Sequence, residues 1–180
     1  MSLSSAAPWT AFYGSTPASL TYPGKTMYTM VADTAAAYPD HTAYIFMGKH
    51  TSYAAFAQRI DAAARGLLAL GIEKGDRVTI CMPNTPQALD CFYALNRIGA
   101  IPNMIHPLSA AKEIEFYLNF SGSKAILTLD QFYDKVASTL PQLNNPITIL
   151  VAKIGDELPF PLNVVYPHTK GGRHKLPKTG

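Results

Sequence analysis

Apolar residues recur every three to four positions from Tyr53 to Leu70, with Phe56, Ile60, Ala63, Ala64, Leu67 and Leu68 on one side. This spacing predicts a helix, for which Ser52 is the cap and Gly71 the stop. The period then changes to two. Val78, Ile80 and Met82 alternate with Thr79 and Cys81 until Pro83 ends the strand. Helical spacing returns with Leu89, Cys91, Phe92, Leu95 and Ile98, behind Thr85 as N-cap and Pro86 at the first turn, and Gly99 closes the helix. Ile101 to Ile105 reads as the next strand. Strand, helix and strand joined by such short links predict a right-handed parallel unit.

The same reading extends outwards. Met27 to Tyr38 carries Met30, Val31, Thr34 and Ala35 at helical spacing, and Pro39 ends it. Thr42 to Met47 reads as a strand that Gly48-Lys49 turns back into His50-Thr51, a small antiparallel hairpin outside the parallel sheet. After the central unit, Ser109 is the available cap for a helix reaching Phe120, with Ile114, Tyr117 and Leu118 as its stripe. Ala125 to Leu129 is another buried strand, Asp130 can cap a helix through Leu140, and Ile147 to Val151 is a further strand. The expected fold is a three-layer α/β domain, a mainly parallel sheet with helices on both faces plus the hairpin. Residues 1–26 read as an extended arm whose rings (Trp9, Phe12, Tyr13, Tyr22) pack on the domain, 27–152 as the α/β body and 153–180 as connecting chain. Within that last stretch Leu162 to Tyr166 could add a short strand.

Composition changes the picture in one respect. Charged residues make up 15% of the chain, against about 25% in typical proteins. Part of the apolar surface is therefore expected to lie against something else, with weak homo-association through an exposed apolar face as one outcome. The net charge of +3 is modest, and Lys170, Arg173, Lys175 and Lys178 concentrate it in a Gly/Pro-rich end. No recognition helix or aromatic-studded basic groove accompanies them, so a nucleic-acid partner is not expected. The two cysteines, Cys81 and Cys91, fall on apolar faces and read as core thiols. No apolar run is long enough to span a membrane, and the Ser/Ala-rich start lacks a basic segment followed by an apolar core, so a cytoplasmic location is expected.

Candidate chemistry is sparse. His106 stands at a strand C-terminus beside Pro107, where α/β sheets place ligand groups, and is a candidate pocket-lining residue. Without an acid or nucleophile in register it is not assigned catalysis; its other reading is satisfaction of loop backbone. His41 and His50 read as surface residues, and His168 and His174 belong to the tail, so no metal ligands are assigned. Asp76 reads as a carboxylate accepting turn amides, Asp90 as part of a polar helix face, and Glu113 and Glu115 as acids near a helix start. The segment YPHTKGGRHKLPKTG, Tyr166 to Gly180, holds glycine, threonine and lysine but not the spacing of a phosphate loop. Its last five residues resemble a cell-wall sorting signal without the segments such a signal requires.

Taken in order, several pieces carry a resemblance. They are Ser52-Tyr53 opening a long helix, Gly71 followed by Gly75-Asp76-Arg77-Val78, Pro83-Asn84, Gly99-Ala100, and His106-Pro107-Leu108 leading toward Glu113. Together they resemble the N-terminal region of the adenylate-forming acyl-CoA synthetases, from Met27 to about Leu129. The WTAFYG stretch is similar to the entrance of long-chain members. Ala55, His106 and Ala110 depart from the family's usual glutamate, asparagine or aspartate, and threonine. The resemblance implies a longer parent protein that is an ATP-dependent fatty-acyl-CoA synthetase, using ATP, Mg²⁺ and coenzyme A, with the remainder of its own chain as partner. The phosphate-holding loop, ribose aspartate and C-terminal lysine of the family lie beyond this region. The chain alone is accordingly expected to be inert, with no cofactor and no catalytic residue of its own. Two alternatives stand beside this: a non-enzymatic binding or interaction module, and a relative activating an aryl or amino acid.

Overall fold

The structure, a computed structural model, describes residues 7–169 and Leu176. The basic residues Lys170, Arg173, Lys175 and Lys178, with His174 and all of the final pentapeptide except Leu176, lie outside the described residues. Its elements run α1 (Met27–Ala37), β1 (Thr42–Phe46), β2 (Lys49–Ser52), α2 (Tyr53–Ala69), β3 (Arg77–Cys81), α3 (Pro86–Ile98) and β4 (Ile101–Met104). They continue with α4 (Ala111–Ser121), β5 (Ala125–Leu129), α5 (Tyr133–Ala137), β6 (Thr148–Ala152) and α6 (Leu162–Val165).

Strands β3 to β6 form a four-stranded sheet in the order β4-β3-β5-β6, every pair parallel, and β1 and β2 make a separate antiparallel pair. Alternation along the strands builds two cores. Val78, Ile80 and Met82, with Ala125, Leu127 and Leu129, face α2 and α3, where Phe56, Ile60, Leu67 and Leu95 meet them. Cys81 and Ile126 point the other way, to Ile114 and Leu118 of α4 and Val136 of α5. Helices thus lie on both faces. In the parallel ladder the Ile101 and Ile105 amides donate to Asp76 and Ile80, so the intervening Pro102 turns its missing N–H to the outer edge of β4.

The caps of the central helix follow the local sequence. Thr85 Oγ1 accepts from the Ala88 amide at 3.4 Å, Pro86 opens α3, and Gly99 closes it at φ 78°. A Cβ there would stand 2.9 Å from Lys74 Cγ, so glycine serves both the backbone and the close approach. In α2 the Ser52 hydroxyl accepts from the Ala55 amide at 3.2 Å.

Several local expectations are corrected. The N-cap of α4 is Ala110 and not Ser109, and Glu113 reaches back to accept the Ala110 amide at 2.9 Å. Ser109 lies one residue too early, its amide donating to His106. The helix after Asp130 is short: Asp130–Phe132 and Leu140–Gln142 are 3-10 turns around the five-residue α5, because Pro141 cannot continue an α-helical ladder. Leu162–Val165 is helical and not a strand. Of the arm rings, Phe12 and Tyr22 are not packed on the body, whereas Trp9 and Tyr13 are partly covered. Phe12 is 89% exposed and Tyr22 79%, and neither joins an apolar core.

Candidate functional site

The sheet order creates a crevice. From β3 the chain crosses by α3 on one face to β4, and from β4 it crosses by α4 on the other face to β5, beyond β3. Neighbours β3 and β5 therefore send their following segments to opposite faces, and ligands collect outside the carboxyl ends of such strands. A cleft of about 510 Å³ lies there, lined by Met82, Pro83 and Asn84 after β3, Met104 to Leu108 at the end of β4, and Phe132 after β5. The lining is largely apolar, with Asn84 and His106 as its polar side chains.

His106 is exposed on this cleft, and its Nδ1 accepts the Leu108 amide at 3.2 Å. The structure thus places it at the wall and in the loop turn at once. His41 stacks on Tyr38 at 5.2 Å and His50 lies 3.4 Å from the Thr42 hydroxyl, both away from the cleft. Asp76 accepts from the Glu73 amide and the Lys124 ammonium, at 2.8 and 2.7 Å, and these bonds hold its carboxyl below the ordinary range. It sits at the amino end of β3, opposite the cleft. Glu115 pairs with exposed Lys112.

Asp90 corrects the reading of a polar helix face. It is only 7% exposed, and Arg59 Nε donates to its Oδ2 at 2.8 Å while Arg59 Nη2 donates to Glu157 at 2.5 Å. Lys49 stands 4.0 Å from Glu157. Burial raises the Asp90 pKa against the opposing pull of Arg59. Burial would lower that of Arg59, but its bonds to both carboxylates outweigh this and hold it above the ordinary value. The cluster locks α2 to α3 and to the turn after β6; it is 31% exposed at Arg59 and lies outside the cleft.

Cys81 and Cys91 are free, buried thiols. Burial pushes Cys81 up to about 11, with Lys135 pulling the other way, and pushes Cys91 up to about 12 with Asp90 adding to it. Thiolate is the reactive form. The folded chain is therefore expected to leave dithionitrobenzoate unreacted at pH 8 and to release two equivalents of chromophore once unfolded in guanidinium. Rapid release from the folded chain would contradict this account.

Among the described residues no group of three or more His, Cys, Asp or Glu could hold a metal ion, and no helix is long and apolar enough to cross a membrane. Sequence reasoning missed Phe132 and Met104 as cleft residues, Lys135 behind the wall, and the Arg59–Glu157 pair. The chain-order signal was the place of Met104 as the last residue of a strand and of Phe132 just after one. For Glu157, 98 residues from Arg59, there was none.

The family model described as AMP-binding enzyme matches residues 31–174. The chain belongs to the AMP-binding enzyme family. Among members of that family, it is 35% identical over 164 residues to the long-chain-fatty-acid–CoA ligase of Bacillus subtilis (strain 168), covering 91% of this chain and 29% of that protein. It is 32% identical over 142 residues to the 2,3-dihydroxybenzoate-AMP ligase of the same organism, covering 74% and 26%. The N-terminal domain of FACL13 from Mycobacterium tuberculosis superposes with a TM-score of 0.66 at 28% identity, over 71% of this chain and 34% of that one. The chain thus spans about 29% of the length of the fatty-acid ligase it matches, and its parallel sheet and hairpin are those of the N-terminal domain of acyl-CoA ligases.

Proposed function

We propose that this chain is the N-terminal α/β portion, centred on residues 27–152, of an ATP-dependent fatty-acyl-CoA synthetase. The observation that carries the proposal is the similarity to a long-chain-fatty-acid–CoA ligase across 91% of the chain. The apolar cleft at the carboxyl ends of β3 and β4 supports it, since an acyl chain needs such a wall.

In the proposed reaction a carboxylate oxygen bonds to the α-phosphorus of ATP, and pyrophosphate leaves with the electron pair. The thiol sulfur of coenzyme A then bonds to the acyl carbon, its proton passes to base, and AMP leaves. A carboxylate is a poor acyl donor until its oxygen becomes such a leaving group, and stabilising the phosphate charge is the larger catalytic task. Mg²⁺ has no fitting set among the described side chains. This portion contributes a wall for the acyl group; the groups that hold phosphates belong to the rest of the protein. Weak homo-association through an exposed apolar face is part of the same reading, the stacked Phe116 and Phe120 rings on α4 being one such surface.

The similarity to a 2,3-dihydroxybenzoate-AMP ligase favours a second reading, activation of an aryl acid. One experiment separates them. Acid-dependent exchange of labelled pyrophosphate into ATP is measured for the longer protein carrying this chain, with fatty, aryl and amino acids in turn. Exchange with fatty acids and little with the others is expected, and preference for an aryl acid would replace the first reading with the second. The 180-residue chain alone is expected to show none above a heat-killed control; exchange by it would overturn the assignment of phosphate binding elsewhere.

A further inference from the structure

The wall of the cleft is tied down from behind. Lys135 lies on α5, half-buried, and its ammonium donates to the carbonyl oxygens of Pro107 at 3.1 Å and Ser109 at 3.2 Å. The same ammonium stands 5.6 Å from the centre of the Phe132 ring. Pro107 and Phe132 both line the cleft. One cation therefore joins two pieces of wall that reach the cleft from different strands, β4 and β5.

Between the two clamped carbonyls the chain turns tightly. The Ser109 amide donates to the His106 carbonyl at 3.1 Å, and the Leu108 amide donates to His106 Nδ1 at 3.2 Å. A ring nitrogen that accepts carries no proton, so this bond assigns the neutral imidazole its proton on Nε2. His106 is then a donor to whatever enters the cleft. Beside it the wall is Met82, Met104, Ile105 and Phe132, which suits an apolar body ending in an oxygen acceptor.

We propose that Lys135 is a positioning residue of this cleft: through Pro107 and Ser109 it fixes the turn in which His106 presents Nε2–H to a carboxylate or carbonyl oxygen of the acyl substrate. The substrate in that statement rests on the proposed function, whereas the clamp rests on the geometry alone. Lys135→Met keeps the length of the side chain and removes its donors. Lys135→Arg keeps donors in reach of the carbonyls.

Nitrogen-15 histidine spectra of the 180-residue chain test the clamp without any ligand. The wild type is expected to carry the His106 proton on Nε2 and to protect the Leu108 amide. In Lys135→Met the ring interchanges tautomers and the Leu108 amide exchanges roughly tenfold faster, while Lys135→Arg resembles the wild type. A wild-type His106 protonated on Nδ1, or a methionine variant with an unchanged spectrum, overturns the proposal. In the longer protein, with octanoate as the acid, Lys135→Met is expected to raise KM about tenfold at nearly unchanged kcat, and Lys135→Arg to recover it. A fall in kcat at constant KM would overturn the positioning role. Spectra as expected in a protein that shows no acid-dependent exchange would refute the proposed function and leave the clamp standing.

Discussion

Replacing Arg59 by methionine is expected to lower the stability of the chain by about 3 kcal/mol, the lower end for breaking a buried ion pair because the guanidinium keeps some contact with water. The loss comes from what the arginine leaves behind. Asp90 and Glu157 are 7% and 6% exposed, and Asp90 Oδ1 already has no hydrogen-bond partner. Without Arg59 two carboxylates share a poorly hydrated site, with Lys49 at 4.0 Å from Glu157 as a more distant cation. The triple variant Arg59→Met, Asp90→Leu, Glu157→Met is expected to recover most of the loss, since no charge then remains to be desolvated. Urea midpoints at constant slope measure both. A single variant within about 0.5 kcal/mol of wild type would sink the account.

The pH dependence of that deficit has a definite sign. Burial raises the Asp90 pKa above its ordinary value of 3.8, so the folded chain binds this proton more readily than the unfolded one. The contribution favours folding fully below 3.8 and is lost as pH rises through the raised folded value. Removing Arg59 raises that value further, because an attractive charge is gone. The deficit of Arg59→Met is therefore expected to shrink as pH falls from 7 toward 4, and a deficit that widens would contradict it.

Ile80→Ala is expected to cost about 3–4 kcal/mol, within the range for truncating a fully buried isoleucine. Ile80 has no solvent exposure, pairs with Met104 on one side and Leu127 on the other, and faces α2 and α3. Its neighbours belong to three strands and two helices, so the cavity cannot close by moving one of them. Ile101→Ala on the edge strand is the control: this side chain is half exposed, and its truncation is expected to cost well under half as much. Thermal unfolding of both variants measures the difference. Comparable losses at the two sites would deny that β3 is the centre of the core.

The parallel sheet was legible because both of its faces are covered and its strands lie between capped helices. Thr85, Pro86 and Gly99 each act locally, so their signals survive in any context. Asp90 misled because helical spacing records which residues share a face, not what a distant arginine brings to it. The partner Glu157 lies in a segment with no period at all. The arm misled for a related reason: a ring promises burial only if a surface waits for it, and Phe12 and Tyr22 stand largely exposed. For the cleft, position after a strand pointed to His106, but the wall depends on Lys135, whose bonds go to backbone carbonyls that any sequence supplies.

Pro102 gives the sheet a direction of growth. The outer edge of β4 offers Met104 as its amide donor, since Pro102 has none, while along β6 the inward donation of Thr148 to Lys124 turns the Ile149 and Val151 amides outward. A strand arriving beside β4 finds its ladder interrupted at the second rung; one arriving beside β6 finds β-branched residues with donors in step. The β6 flank thus offers an added strand more amide donors than the β4 flank does.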